Sequence, residues 1–144
     1  MTDDSSAAVG IVVVSHSGEL ADATVRLVAR LANLPGDGPL LAAAGGLEDG
    51  SIGTDATRIA DALVAADAGA GVVVLADLGS AVLATATAID ELIDPDLAAR
   101  VRISRGPLVE GTFVAAVQAS ARDALDGVLA AADDAASINK LEGR

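Results

Sequence analysis

Two side chains of this sequence could act together in chemistry, those of His16 and Asp77. His16 is the only histidine among 144 residues, and it comes just after an apolar run at positions 10–14. Asp77 directly follows a second apolar run, at positions 72–76. An aspartate that accepts a hydrogen bond from Nδ1 of an imidazole fixes its tautomer and leaves Nε2 free as a nucleophile. If the fold joins the two residues, Nε2 could carry a chemical group. If it does not, His16 is an ordinary loop residue and Asp77 caps a helix.

Short apolar runs that alternate with helical patterns predict where these two residues lie in the fold. The strands are expected at residues 10–14, 40–44, 72–76 and 101–104, and the helices at 19–33, 55–66, 81–93 and 112–134. This alternation indicates an α/β fold, a doubly wound parallel sheet of four strands with helices on both faces. We expect the strand order 2-1-3-4, which reverses its winding between strands 1 and 3. Ligands bind beside the carboxyl ends of strands at such a reversal, where His16 and Asp77 would meet.

Small and hydroxyl-bearing residues open three of the predicted helices on this same rim. They are Ser17 before the first helix, Gly53 and Thr54 before the second, and Gly79 and Ser80 before the third. We expect Ser17 and Thr54 to cap their helices. Backbone N–H groups at a helix N-terminus, together with a hydroxyl group, bind anions. Each turn alone is a weak signal, but three of them around one histidine favour a phosphoryl group carried on His16.

Composition excludes several other kinds of protein. With 52% hydrophobic residues and no apolar run of membrane-spanning length, the chain is expected to fold without entering a membrane. Its formal net charge of −12 would repel a nucleic-acid backbone. The absence of cysteine and the single histidine argue against a transition-metal site. Neither a Gly-x-Gly-x-x-Gly turn nor a Walker loop is present, so no tightly bound cofactor is expected.

One domain is expected over residues 9–134. Residues 1–8 are interpreted as a flexible N-terminus, and residues 135–144 as a tail. The acidic start lacks the positively charged region of a secretory signal, so a cytoplasmic protein is expected.

Four motifs in order carry a resemblance to a known family. They are VVVSHS at 12–17, IGTD at 52–55, DLGSA at 77–81 and PLVEGT at 107–112. With these motifs the chain resembles the DhaM family, whose members are the phosphoryl-carrier subunits of bacterial dihydroxyacetone kinases. Their domain is related to the mannose-type enzyme IIA of the phosphoenolpyruvate-dependent phosphotransferase system.

The resemblance implies an enzyme IIA mannose-type fold, a homodimer and a phosphorylated Nε2 on His16. The phosphoryl group would come from phosphohistidine on HPr and pass to ADP bound on the subunit DhaL. The ATP formed would phosphorylate dihydroxyacetone held on DhaK, and this chain itself would keep only the transient phosphohistidine. Asp77 matches the acid that orients the histidine. Ser80, Gly79 and the loop with Gly53 and Thr54 match positions around the phosphate.

The same resemblance indicates a partner surface and leaves two alternatives open. The surface would include Leu78, Pro107, Leu108 and Val109, and a separate HPr would be needed. One alternative is the enzyme IIA of a mannose-class sugar transporter, although such proteins usually have a Pro-Gly-Gly-Ser-Pro-like stretch after the aspartate. The other is a non-catalytic module in which phosphorylation of His16 serves only as a signal.

Overall fold

The computed structural model describes residues 7–144, which form a four-stranded parallel sheet. The strands are β1 (Gly10–Ser15), β2 (Leu41–Gly45), β3 (Val72–Ala76) and β4 (Val101–Ile103). They lie in the order β2-β1-β3-β4, and every neighbouring pair is parallel. The predicted fold class and strand order are therefore confirmed.

The two central strands are buried on both faces by helices. All six residues of β1 are buried, as expected for a strand covered on both sides. The helices are α1 (Gly18–Leu31), α2 (Ala56–Ala66), α3 (Gly79–Thr87), α4 (Pro95–Ala98), α5 (Leu108–Ser120) and α6 (Leu125–Asp134). Residues of α2 and α3 pack on one face of the sheet, around Val12 and Val14. Residues of α1, α5 and α6 pack on the other face, around Ile11 and Leu75.

The last predicted helix, over 112–134, is wrong in its extent. It is two helices, α5 and α6, separated by four residues in which Arg122 adopts a φ of 64°. The side chain of Asp123 stabilises this turn, because it accepts hydrogen bonds from Gln118 Nε2 at 2.7 Å and from the Ala124 N–H at 2.8 Å. The break contains no glycine or proline, so the sequence pattern did not reveal it.

The third predicted helix, over 81–93, also differs from the structure. It begins two residues earlier, at Gly79, and ends in a π-helical turn at Ala88–Leu92. Asp94 and Pro95 follow this turn and start the short helix α4. The Asp94 carboxylate caps α4 by accepting from the Asp96 N–H at 2.8 Å. Proline suits the first helical turn, where its missing N–H needs no partner.

Residues at both ends of the described chain pack against the rest of the domain. The predicted flexible terminus, 1–8, falls on residues 1–6, which lie outside the described residues, and on 7 and 8, of which Ala8 is buried. At the other end, Lys140 Nζ lies 2.5 Å from Glu110 Oε2, so the segment after α6 contacts α5.

Among residues 7–144, no helix is long and apolar enough to cross a membrane.

Candidate active site

His16 lies in the tight turn between β1 and α1. Its carbonyl oxygen accepts a hydrogen bond from the Gly53 N–H at 2.9 Å, which fastens the loop between β2 and α2 to this turn. The next residue, Ser17, is the N-cap of α1, and its hydroxyl accepts from the Leu20 N–H at 3.2 Å. With 21% of its side chain exposed, the imidazole is held by the protein but remains open to a partner molecule.

Asp77 reaches His16 from the neighbouring strand. Its Oδ1 lies 3.0 Å from Nδ1 of His16 and accepts from the Leu78 N–H at 2.7 Å. Its Oδ2 accepts from the His16 N–H at 3.0 Å and from the Ser15 hydroxyl at 2.9 Å. Both carboxylate oxygens are therefore fixed, and the aspartate is set to accept the Nδ1 proton of the ring.

The environment of Asp77 favours its ionised form. Burial of the carboxyl group raises the pKa of Asp77, but three hydrogen bonds lower it: two from His16, through its backbone N–H and its ring, and one from Ser15. Protonation of His16 adds a charge interaction that lowers it further, and the net result is a pKa below the ordinary value of 3.8. An ionised aspartate stabilises positive charge that develops on the imidazole ring.

Nε2 of His16 faces the first turn of α3, where it lies 2.5 Å from the Ser80 hydroxyl oxygen. In the neutral ring with its proton on Nδ1, directed to Asp77, Nε2 is an acceptor for the Ser80 hydroxyl hydrogen. The Asp77 carboxylate, which can only accept, favours this tautomer, and the Ser80 hydroxyl is compatible with it. Nε2 is left as the nucleophilic nitrogen, with a hydroxyl donor beside it.

The three helix starts that were predicted to bind an anion are not equivalent. The N-cap of α3 is Leu78, whose side chain makes no capping hydrogen bond, so the N–H groups of Gly79 and Ser80 are available to an anion, whereas that of Ala81 donates to the Leu78 carbonyl at 3.0 Å. At α2, Thr54 is not the cap. Asp55 takes that place, and its carboxylate accepts from Thr57 N–H and Arg58 N–H. The prediction of Thr54 as a cap is wrong, because α2 begins at Ala56 and the residue directly before it, Asp55, supplies the capping carboxylate.

The residues expected to contact a partner are only partly exposed. Leu78 is 64% exposed beside the histidine, and Val109 is 39% exposed at the start of α5. Pro107 and Leu108 are half-buried, and Leu108 packs against the core. Ile52 was not predicted for this surface. It is 71% exposed and stands next to Gly53, which is bonded to the His16 backbone.

A role for Ser15 in this site was not predicted from the sequence. In the structure Ser15 is fully buried, and its hydroxyl bridges Asp77 Oδ2 and the Ser17 N–H, the latter at 3.0 Å. The detectable signal was a serine at a strand end, because such hydroxyls often bind the N–H two residues ahead. Among residues 7–144, no three His, Cys, Asp or Glu side chains are grouped so that they could hold a metal ion.

These features define the class of protein as a doubly wound α/β domain with an aspartate-oriented histidine at its switch point. The model of the EIIA-man family, described as "PTS system fructose IIA component", matches residues 10–129. The chain belongs to the EIIA-man family. The predicted resemblance is thereby confirmed.

Curated relatives extend the comparison. A protein of Klebsiella michiganensis, 39% identical over 138 residues, is named PEP-dependent dihydroxyacetone kinase, phosphoryl donor subunit DhaM. The match covers 94% of this chain but 28% of that relative, so the chain spans about a quarter of its length. A DhaM subunit of Listeria innocua is 34% identical, and the match covers 84% of this chain and 94% of the relative.

Solved structures show the same fold. A protein of unknown function superimposes with a TM-score of 0.75 at 32% identity, over 88% of this chain and 94% of the other. A sigma-54 interaction domain protein from Enterococcus faecalis gives a TM-score of 0.65 at 15% identity, over 88% of this chain and 89% of the other. The second likeness supports the fold alone.

Proposed function

We propose that this chain is the phosphoryl-carrier subunit of a phosphotransferase-system-dependent dihydroxyacetone kinase. His16 takes a phosphoryl group from phosphohistidine on HPr and passes it to ADP bound on DhaL. The ATP formed then phosphorylates dihydroxyacetone on DhaK. The observation that carries the proposal is the placement of His16 between Asp77 at Nδ1 and Ser80 at Nε2. The names of the curated relatives, phosphoryl donor subunits of PEP-dependent dihydroxyacetone kinase, support this role.

In the loading step, the lone pair of Nε2 attacks the phosphorus atom of the donor's phosphohistidine. The new N–P bond forms as the donor's N–P bond breaks, and the bonding electrons return to the donor imidazole. Asp77 keeps the Nδ1 proton in place throughout, so the ring remains nucleophilic at Nε2 and its positive charge is stabilised. The Ser80 hydroxyl is then free to donate to a phosphoryl oxygen, together with the open N–H groups of α3.

In the unloading step, a terminal phosphate oxygen of ADP attacks the same phosphorus atom from the opposite side. The bond to Nε2 breaks, ATP leaves, and the Ser80 hydroxyl returns to Nε2. In-line approach requires open space in front of the ring, which a shallow site at strand ends provides. No cofactor has to stay bound to this chain, because ADP is held by the acceptor.

The composition of the site suits a carrier that must release what it binds. The hydrogen bonds found at the side chains of His16 and Asp77 come from backbone N–H groups, hydroxyl groups and the imidazole itself, and none comes from lysine or arginine. A guanidinium group would bind the phosphoryl dianion more tightly and slow its release. Backbone and hydroxyl donors stabilise the phosphoryl group but bind it weakly enough for its release.

The proposal also includes a partner surface, an oligomeric state and a location in the cell. The exposed Leu78 and the net charge of −12 suit partners with an apolar patch and a basic rim. We expect a cytoplasmic homodimer, and light scattering measures its mass directly. Pro107, Leu108 and Val109 belong to this proposed surface, with Val109 exposed and the other two half-buried.

The decisive experiment follows labelled phosphate through the system. The chain is incubated with enzyme I, HPr and labelled phosphoenolpyruvate, and DhaL with ADP is then added. Acid-labile label that loads and then moves to ATP supports the proposal. Label that loads but stays points to the sugar-transporter alternative, which is tested with an enzyme IIB. Absence of loading contradicts the proposed function.

A further inference from the structure

The hydroxyl group of Ser15 holds a place in the site that the proposed function does not explain. Ser15 is the last residue of β1 and is fully buried. It donates to Oδ2 of Asp77 at 2.9 Å and accepts from the Ser17 N–H at 3.0 Å. It therefore connects the carboxylate on one side of His16 with the turn on the other side.

Orientation of the Asp77 carboxylate depends on few donors. Oδ1 has the Leu78 N–H and the His16 ring, and Oδ2 has the His16 N–H and the Ser15 hydroxyl. Two of these donors are backbone groups, and the third is the ring that the carboxylate must orient. Among residues 7–144, Ser15 is thus the one side-chain donor to Asp77 other than the ring that Asp77 orients.

We propose that Ser15 is a positioning residue for phosphoryl transfer, since its hydroxyl locks the Asp77 carboxylate with Oδ1 towards Nδ1 of His16. The inference rests on the proposed function for its effect on rate, but not for its effect on the imidazole. Loss of the hydroxyl lets the carboxylate rotate, so Nδ1 loses part of its preference for the proton. In a fraction of the molecules the proton of His16 then lies on Nε2, and this nitrogen cannot attack phosphorus.

The chain offers an internal control for a purely structural role. At the end of β4, Ser104 donates to Oδ1 of Asp133 at 2.6 Å and accepts from the Gly106 N–H at 3.0 Å. The Arg105 N–H also donates to Asp133, at 3.0 Å. This arrangement repeats that of Ser15, with Arg105 in the position of His16. Ser104→Ala therefore removes the same type of hydrogen bonds without touching Asp77.

The first measurement is the tautomer of His16 by ¹⁵N NMR. His16 is the only histidine, so the imidazole signals need no further assignment. Spectra are taken at about pH 9, where a free imidazole is neutral. We expect protonation at Nδ1 in the wild type and in Ser104→Ala, and a mixture of tautomers in Ser15→Ala. An unchanged tautomer in Ser15→Ala would overturn the inference, whether or not the chain accepts phosphate.

The second measurement is the rate of loading from phospho-HPr. We expect Ser15→Ala to lower this rate about tenfold, as is typical when the group that orients a histidine is lost, and Ser104→Ala to leave it within about twofold. Ser15→Cys fills about the same volume as serine, but its thiol is only a weak hydrogen-bond donor. If Ser15→Cys loses as much loading rate as Ser15→Ala, the effect comes from the lost hydrogen bond and not from a cavity. Equal losses in the two serine-to-alanine variants would show that Ser15 is only structural.

A double-mutant cycle tests whether Ser15 acts through Asp77. If it does, Ser15→Ala has no further effect in an Asp77→Ala background, and the two rate effects are far from additive. Additive losses would contradict the proposed route. If the wild type does not load at all, the proposed function fails while the tautomer result still decides the role of Ser15.

Discussion

Nδ1 of His16 lies 3.0 Å from Oδ1 of Asp77, although the two residues are 61 positions apart in the chain. They meet because β1 and β3 are parallel neighbours whose register pairs Val14 with Ala76. The Asp77 N–H also donates to the Val14 carbonyl at 3.1 Å, so the ladder continues up to the site. The backbone of the sheet thus sets the distance between the two reactive side chains.

Replacement of His16 by alanine is expected to abolish phosphoryl acceptance and to preserve the fold, because the ring is at the surface of the turn. Acid-labile label and far-ultraviolet circular dichroism measure the two outcomes. Arg105→Ala is the matched control, since Arg105 holds the equivalent position after β4 and follows Ser104 as His16 follows Ser15. Labelling of the His16 variant at the wild-type level would refute the proposed carrier role.

Asp77→Asn is expected to slow loading by about 10–100-fold, because an amide N–H₂ group directed at Nδ1 favours the tautomer with the proton on Nε2. The measurement is the loading rate together with the ¹⁵N signals of the ring. Asp133→Asn changes the corresponding carboxylate at the end of β4 and should retain the wild-type rate. If both variants load equally fast, Asp77 serves only to close the turn.

The lowered pKa of Asp77 predicts a pH dependence of stability. Its folded pKa lies below the ordinary value of 3.8, so the unfolded chain binds the proton more readily. The stabilisation is fully present above about pH 5, and it is lost as the pH falls through the folded pKa. Urea unfolding of the wild type and of Asp77→Asn should give a difference in free energy that is constant above that pH and shrinks below it. A difference that grows on acidification would contradict the assignment.

Gly45→Ala should damage both stability and loading. A Cβ at this position would stand 2.4 Å from the Ser17 carbonyl oxygen and 2.8 Å from the Gly18 Cα, so β2 or the His16 turn must move. We expect a loss of about 1–3 kcal/mol in the free energy of unfolding and a slower loading rate. Gly36→Ala is the control, because nothing lies within 4 Å of its Cβ, and its effect should stay within about 0.5 kcal/mol. Equal stability of the two variants would contradict this prediction.

Leu78→Ser tests the proposed partner surface. The substitution removes an exposed apolar side chain but retains the backbone N–H that binds Asp77. We expect KM for phospho-HPr to rise about tenfold with kcat little changed, since burial of one leucine contributes on the order of 1–2 kcal/mol to binding. Leu31→Ser is the control, because Leu31 is 63% exposed at the far end of α1. A change in kcat alone would instead assign Leu78 to the chemistry.

The sequence was sufficient for the strand order and for the meeting of His16 with Asp77. Continuous apolar runs identify buried parallel strands, and right-handed crossovers restrict the order to few arrangements. The carboxyl ends of adjacent strands must then lie at one edge. The family was also recognisable from the sequence, because each of the four motifs is a short, uninterrupted stretch of residues.

Details of the helix ends could not be predicted from the sequence. The break between α5 and α6 contains no helix-breaking residue, and Arg122 adopts its positive φ within a turn stabilised by Asp123. At the start of α2, Asp55 and not Thr54 supplies the capping carboxylate. Both errors concern helix ends that are set by hydrogen bonds of individual polar side chains, which the apolar pattern does not show.

By itself, the sequence determined that His16 and Asp77 stand at the same edge of the sheet, because periodicity and strand polarity are local properties. Only the tertiary structure decided how His16 is held. The contacts of Asp77 with Nδ1, of Ser80 with Nε2 and of Ser15 with the carboxylate each join residues more than sixty positions apart. Such distances and directions follow from the packing of helices on the sheet, which no local pattern encodes.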